Sequence, residues 1–517
     1  MSPYRLESLL QPGRYPETTT VVRHLQTHVS HLFLTDQHVY KVKKGVDFGF
    51  LDFTTLEKRR HFCYEELRLN RRLSPDIYLG VVELHDDGAG GLSFGGDGAV
   101  LEYAVKMRRL PEERMLSRLL EGGQAVAADV EAIAKVVARF HAAAARDLRI
   151  ASFGSVAAIR SNWLENLRQT VPYCGITLSH VDYQLIGDWA LTSLDRLTGQ
   201  LEMRLRDGFI RECDGDLHSE NICLDGQVHI FDCIEFNEQF RYIDTAADVA
   251  FLTMDLENHG RRDLAEQFAA AYCQESGDTG LLEVLPFYLV NRAFIRGKVE
   301  SFRLDDPQIP APDKEAAAER ARRFFRLARG YLLRWRLPHS LFLTCGPTGC
   351  GKSAFATEFC FQMGIGLLQS DRERKLLAGV PVTEHSTAIY SDAWNQAVYD
   401  RLAALAADEL ATGRSVLVDA TFRRRSDREV FIRMAAEQGV PLIIFELSCP
   451  AELVRQRLIQ REQSGTSISD GTWPLYQQQV ATFEPPDPAQ TLVITLDASQ
   501  AVPEMVDQAL TGLNLLA

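Results

Sequence analysis

The spacing of apolar positions divides the chain into stretches of different period. Residues 20–110 carry short runs (HLFLTD, HVYKVKK, YLGVVEL, AVLEYAVKM) that read as strands. One helix, from about Thr55 to Leu73, interrupts them. Residues 112–300 read as mainly helical, with a single strand-loop-strand piece at 209–236. At Asp305–Pro312 the run DDPQIPAP holds three prolines, which exclude regular structure. Next comes KEAAAERARRFFRLARGYLLRW. Its apolar residues recur at three and four and predict one amphipathic helix from Lys314 to about Trp335, which Pro338 ends. From 340 onward strands and helices alternate, the pattern of a parallel α/β unit. The pattern therefore predicts a small β-rich lobe over 1–110, a helical lobe over 111–304, a linker and coupling helix over 305–338, and an α/β domain over 339–517. A chain of 517 residues is too long for one ordinary core.

Composition narrows the function classes. The chain is 46% hydrophobic and 24% charged, as in globular proteins. No apolar run approaches the ~20 residues of a membrane span, and the N-terminus does not read as a signal peptide. Ten cysteines stand singly, without CxxC pairs, as expected of reduced thiols in a cytoplasm. The formal net charge of −14 argues against a protein that coats nucleic acid, because counterion release needs clustered Lys and Arg. From Leu341 onward 14 Lys and Arg face 21 Asp and Glu, so the acidity is shared by both halves.

In the second half, LFLT runs directly into GPTGCGKS: Gly346, Pro347, Thr348, Gly349, Cys350, Gly351, Lys352 and Ser353. A glycine-rich loop between strand and helix lets backbone N–H groups converge on phosphate, and the helix adds the positive end of its dipole. Lys352 would neutralise the outer phosphates of ATP, and the Ser353 hydroxyl would ligate Mg2+. A second strand, RSVLVDATF, ends in Asp419, where such domains hold the metal-bound water. The segment LLQSDRERKLLAG places Asp371 and Arg374 one helical turn apart. Their chemistry suits acceptance of a hydroxyl proton and substrate holding, though an N-cap with a surface arginine reads equally well from the residues alone. PAELVRQRLIQRE sets Arg457 and Arg461 on one helix face before the polar GTSISDGT, as a lid helix reaching the transferred phosphate would.

These pieces resemble the kinase branch of P-loop proteins, over about 342–485, with polynucleotide 5′-kinases and zeta-toxin-like kinases as the nearest patterns. The resemblance implies Asp371 as general base, Arg374 as a substrate or phosphate contact, and Asp419 as the magnesium-side acid. The roles of the two carboxylates remain exchangeable.

The first half carries RECDGDLHSENICLDGQVHIFDCIEFN. Asp216 and Asn221 lie five apart, and Asp232 closes the next apolar strand. One carboxylate for a hydroxyl proton, with an amide and a second carboxylate for magnesium, is the protein-kinase arrangement. HVYKVKK supplies Lys41 or Lys43 for the phosphates, and YEELRLNRRL supplies Glu65 or Glu66 as its partner.

Over roughly 20–300 the sequence resembles the aminoglycoside phosphotransferase family of kinase-like folds, carried by GDLHSEN, IFDCIEFN and VYKVK. The resemblance implies a bilobal kinase-like α+β fold with Asp216 as base, Asn221 and Asp232 as magnesium ligands, Lys41 on the phosphates with Glu66, and Glu102–Met107 as the hinge facing adenine. Two departures stand out. Asp214 replaces the family's usual His, and THVSHLF replaces a GxGxxG loop, leaving Ser30 as the phosphate contact. As a whole the chain resembles the proteins called bifunctional aminoglycoside phosphotransferase and ATP-binding protein, which join these domains in this order.

The expected activity is ATP- and Mg2+-dependent transfer of phosphate to a hydroxyl of a small molecule or nucleotide, at two sites. One alternative is a P-loop kinase regulated by a non-catalytic first half. The other, a polynucleotide 5′-kinase using Arg423–Arg428 (RRRSDR) as a strand-binding patch, is disfavoured by the acidic background.

Overall fold

The computed structural model describes residues 6–49, 51–307, 309–381, 392–464 and 471–516. The chain forms two compact units, Met1–Ala328 and Arg329–Ala517. The division falls inside the helix Ala311–Leu333.

The first unit opens with a six-stranded antiparallel sheet in the order β1-β2-β3-β6-β4-β5. Its strands are β1 (Arg23–Gln26), β2 (Ser30–Leu34), β3 (His38–Lys43), β4 (Tyr78–Asp86), β5 (Leu92–Phe94) and β6 (Val100–Arg108). Side chains alternate across a strand, and β3 uses both faces. Tyr40 and Val42 join a core with Phe33, Leu84 and Ala104. Lys41 and Lys43 therefore share the opposite face, where Cys63 of the helix Leu56–Asn70 packs with Tyr78 and Val105. Thr55 caps that helix by accepting from the Lys58 N–H, and Glu66 lies three residues beyond Cys63 on the same buried side.

Helices build the rest of this unit. The helix Thr245–Asn258 is buried almost throughout and is flanked by Arg262–Ser276 and Leu281–Phe302. Two small antiparallel pairs carry the loops of interest. β7 (Ile210–Glu212) pairs with β10 (Tyr242–Asp244), and β8 (Ile222–Leu224) pairs with β9 (Val228–Ile230).

The second unit is a five-stranded parallel sheet in the order β12-β13-β11-β14-β15. The strands are β11 (Leu341–Cys345), β12 (Gly366–Gln369), β13 (Val416–Asp419), β14 (Leu442–Ser448) and β15 (Leu492–Asp497). Central β11 is buried at every residue, as a strand covered on both faces must be. Leu341, Leu343, Val416, Val418 and Ile444 pack on one side; Phe342, Phe359 and Phe445 stack on the other.

Three details depart from the sequence pattern. The long helix starts at Ala311, ahead of the expected Lys314, because Pro312 falls in its first turn, where a missing N–H costs nothing. β1, β5 and β10 were not foreseen; they are three or four residues long and exist through their partners. Among the described residues no helix is long and apolar enough to cross a membrane.

Candidate phosphotransfer sites

In the first unit the β8–β9 hairpin brings the expected trio together. Ile222 lies opposite Ile230, so Asn221 and Phe231 meet, joined by the Phe231 N–H on the Asn221 carbonyl at 3.1 Å. Asp232 follows directly, in the left-handed region at φ 65°, a conformation Asp adopts seldom and mainly where geometry demands it. Asn221 Nδ2 donates to the Asp216 carbonyl at 3.1 Å and lies 3.3 Å from its Oδ2. His218 Nε2 also lies 3.3 Å from that oxygen. Burial opposes ionisation of Asp216, but His218, and beyond it Arg296 and Arg292, hold its carboxyl below the usual range. His218 responds in kind: burial lowers it, the Asp216 charge outweighs burial, and its pKa ends above the ordinary value.

The lysine and glutamate alternatives resolve into a ladder of charge. Glu66 is fully buried, and its two oxygens take Lys41 at 2.9 Å and Lys43 at 2.6 Å. Lys41 continues to Asp232 Oδ1 at 2.5 Å, and Lys43 continues to Glu235. Glu65 instead pairs with Arg68 on the outer face. Burial alone would discharge Lys41, but Asp232, Glu66 and Glu235 raise its pKa well above the ordinary value.

Asp214, in the position of the family's histidine, is 1% exposed. Its Oδ1 accepts the Asp216 N–H at 3.1 Å, while Oδ2 has no partner among the described residues. The loop backbone is held by Asp248, which accepts from the N–H groups of Asp214 at 2.8 Å and Gly215 at 2.9 Å. Burial, then the charges of Asp248 and Asp216, push the Asp214 carboxyl far up. Gly215 cannot be replaced cheaply: its φ is 89°, and a Cβ there would meet the Phe240 carbonyl at 2.7 Å. Asp248, Glu235, Arg292 and Arg296 were not foreseen, because each acts on partners distant in sequence.

Two of the expected contacts are engaged within the sheet. Glu102 is turned inward. It is 1% exposed, both its oxygens take Arg59 Nε at 2.8–2.9 Å, and β6 is bonded on both edges by β3 and β4. The backbone of 104–107 pairs with both neighbours, while Glu102 and Tyr103 pair with β4 alone. Ser30 is 0% exposed and its N–H binds Thr27 Oγ1 at 3.0 Å, so it is not presented to a phosphate.

In the second unit the parallel register gathers the motifs at one edge. Leu343 pairs with Val418, and Gln369 with Asp419, so the ends of β11, β13 and β12 stand side by side. There they carry the P-loop, Asp419 and the helix Ser370–Ala378 with Asp371 and Arg374. Gly349 has φ 79°, and a Cβ on it would meet Val454 Cγ1 at 2.7 Å. Lys352 Nζ folds back to the Pro347 carbonyl at 2.8 Å; Ser353, one residue into the helix Lys352–Met363, is exposed. Asp419 is 4% exposed and accepts from Thr344 Oγ1 at 2.9 Å.

The helix Ala451–Ser464 bears Arg457, whose Nη1 lies 3.6 Å from where a Gly351 Cβ would stand and 3.5 Å from Cys449 Sγ. Burial lowers the pKa of Arg461, and the charge of Asp371 works against that. Arg374 is 6% exposed. Residues 465–470 of the expected lid stretch lie outside the described residues. Gln479, which the sequence did not mark, holds the Thr348 N–H at 2.7 Å through Oε1. A cavity of about 290 Å³ adjoins the loop, lined among others by Pro347, Cys350, Glu446 and Tyr476.

The basic run is largely occupied by its own surroundings. Arg428 is 3% exposed and donates to the carbonyls of Phe422 and Pro485. Arg425 pairs with Glu429, and Arg423 donates to Thr482.

Comparison with known proteins agrees with this division. Residues 35–286 match the model of the phosphotransferase enzyme family, and residues 341–486 match an AAA domain. Two mycobacterial relatives, Uncharacterized protein Rv2004c of Mycobacterium tuberculosis and Uncharacterized protein Mb2027c of Mycobacterium bovis, are each 31% identical over 453 residues. Each match covers 84% of this chain and 85% of the relative. Among solved structures, a sugar kinase of Janibacter sp. HTCC2649 is 21% identical, covering 34% of this chain and 96% of its own, at a TM-score of 0.27. The APS kinase CysC of Mycobacterium tuberculosis is 20% identical, covering 34% and 99%, at 0.26. The chain belongs to the same family as these mycobacterial proteins, with a domain of the phosphotransferase enzyme family followed by an AAA domain.

Proposed function

We propose that both units transfer the γ-phosphate of ATP to a hydroxyl group, on a small molecule or a nucleotide. The observation that carries the reading is Lys41 joined at once to Glu66 and Asp232, with Asp216 and Asn221 hydrogen-bonded beside the same hairpin. This is the set of groups that positions phosphates and a hydroxyl for in-line attack. In the first unit Asp216, ionised through its contact with His218, takes the hydroxyl proton. Lys41 turns to the phosphates, held in place by Glu66.

The donor sets suit a divalent cation. The Asp232 side chain is 45% exposed, with Lys41 on only one oxygen, and Asn221 stands next to its loop; Ser353 presents an open hydroxyl. Asn221 with Asp232, and Ser353 with Asp419, would hold Mg2+, whose charge neutralises the phosphate oxygens when bound. In the second unit, half-buried Asp371 under the influence of Arg461 fits the base. Asp419, occupied by Thr344, fits the metal side. Lys352 and Arg457 lie along the loop that would hold the phosphates.

A second reading is favoured by Asp214: a buried acid in the histidine position suits a first unit that binds nucleotide without chemistry. ATP turnover by the full chain decides, with sugars, nucleosides, nucleotides, aminoglycosides and 5′-hydroxyl oligonucleotides as acceptors. Lys352→Ala and Asp216→Ala are each expected to abolish transfer to a different acceptor. If Asp216→Ala changes nothing while Lys352→Ala removes all transfer, the second reading stands. If neither variant loses any transfer, both fail.

A further inference from the structure

Three basic side chains gather around one ring beside the proposed base. Phe251 has the imidazole of His218 at 5.5 Å, the guanidinium of Arg292 at 4.9 Å and that of Arg296 at 5.9 Å. Their duties differ. His218 contacts Asp216. Arg292 is 7% exposed and is spent on the loop, donating to the carbonyls of Ala247 at 3.0 Å and Gly215 at 3.4 Å; its Nη2 has no hydrogen-bond partner among the described residues and lies 3.9 Å from Asp248. Arg296, one helical turn further on, is half-buried between Phe251 and Phe324, 5.5 Å from the latter. No hydrogen bond or ion pair of the described residues involves it. A guanidinium held near two rings with its donors unspent meets the condition for gripping an anion. Its charge is felt by both Asp216 and His218, so the anion would sit beside the reacting hydroxyl.

We infer that the first unit takes an acceptor bearing a phosphate or carboxylate group near its hydroxyl, and that Arg296 holds that group. The inference rests on Asp216 being the base. In the step, the acceptor oxygen forms a bond to the γ-phosphorus, the bond from that phosphorus to the bridging oxygen breaks, ADP leaves, and the hydroxyl proton passes to Asp216. A polycationic acceptor such as an aminoglycoside meets repulsion here, whatever the acidity of the chain as a whole.

The test uses the full chain carrying Lys352→Ala, so that only the first unit turns over. Matched acceptors are compared: glucose with glucose 6-phosphate, glycerol with glycerol 3-phosphate and glycerate, adenosine with AMP. Turnover of at least one anionic member over its neutral partner is expected. Arg296→Gln should raise the KM for that member at least tenfold and leave the KM for ATP unchanged, with Arg296→Lys recovering part of the loss. Preference for neutral members, or a KM unmoved by Arg296→Gln, overturns the inference and leaves the kinase reading intact. If nothing is turned over, calorimetry of the same anionic compounds decides. Binding lost in Arg296→Gln supports the anion site while the catalytic role of Asp216 falls; absence of binding overturns the anion site as well.

Discussion

In the first unit the groups aimed at a nucleotide are side chains that neutralise one another while they wait. Lys41, Lys43, Glu66 and Glu235 form one buried ladder that ends outward at half-exposed Asp232. In the second unit they are backbone amides of Gly346–Ser353, shaped by positive φ at Gly346, Gly349 and Gly351, with a single lysine resting on a carbonyl. Charges placed in a buried ladder stabilise the fold as well as the substrate, because removing one strands its partner without water. Amides presented by a turn carry little of that double duty. Function and stability should therefore be coupled in the first unit and separable in the second.

The sharpest way to break this contrast is to delete one lysine in each. Lys352→Ala and Lys41→Ala are both expected to lower transfer by their own unit about 10³-fold, the scale of losing a charged stabiliser of a developing phosphate. Their effects on unfolding should diverge. Lys43→Met, which touches no nucleotide in this reading, should cost the first unit about 3–5 kcal/mol by leaving Glu66 and Glu235 short of a cation. Lys352→Ala should shift the unfolding of the second unit by no more than about 1 kcal/mol. Denaturant unfolding followed by hydrogen exchange in each unit reads both; equal destabilisation by the two variants would defeat the comparison.

Next in size is Gly349→Ala. The added Cβ must fit a left-handed backbone against Val454 at 2.7 Å, so the loop's donors shift. ATP affinity of the second unit should fall about 100-fold, as a misplaced phosphate cradle implies. The described residues of the first unit hold no counterpart, and Ser30→Ala, deleting a fully buried hydroxyl without partners among those residues, should leave ATP binding there unchanged within error. Titration of each variant with a fluorescent ATP analogue tests the pair.

The same contrast explains what could be read from residues alone. A phosphate loop made of backbone needs glycines at fixed spacing, so Gly346–Ser353 was legible, as were Asp216, Asn221 and Asp232, which sit in one short run. The choice between Lys41 and Lys43, or Glu65 and Glu66, was not. Strand period puts both lysines on one face, and only packing of the helix Leu56–Asn70 turns Glu66 inward and Glu65 to Arg68. Glu235 reaches Lys43 across 192 positions, and Arg296 finds its rings on two other helices, distances no local pattern encodes. The inward turn of Glu102 toward Arg59 was hidden for a related reason: an apolar strand looks the same whichever side its charged residue faces.

The smaller effects concern the loop around Asp216. Asp214→Asn keeps an acceptor for the Asp216 N–H and removes a carboxyl whose ionisation burial opposes. Transfer should stay within about threefold, while Asp214→Ala, which leaves that N–H buried without a partner, should lose about tenfold.

His218→Gln tests the electrostatics directly. His218 is the strongest influence favouring ionised Asp216 against burial, so its removal lets burial raise the carboxyl pKa. The base is active only when ionised, and the acid limb of the kcat/KM profile for the first unit should therefore move to higher pH. The sign for His218 itself runs the other way. Its folded pKa is raised, so its contribution to stability is full below the unfolded value and is lost as pH rises through the folded one. In the wild-type chain the first unit should lose stability across that window, and His218→Gln should lose none. The profile of the second unit, which holds no such pair among its described residues, should stay where it was; a shift there would mean that the two sites do not titrate independently.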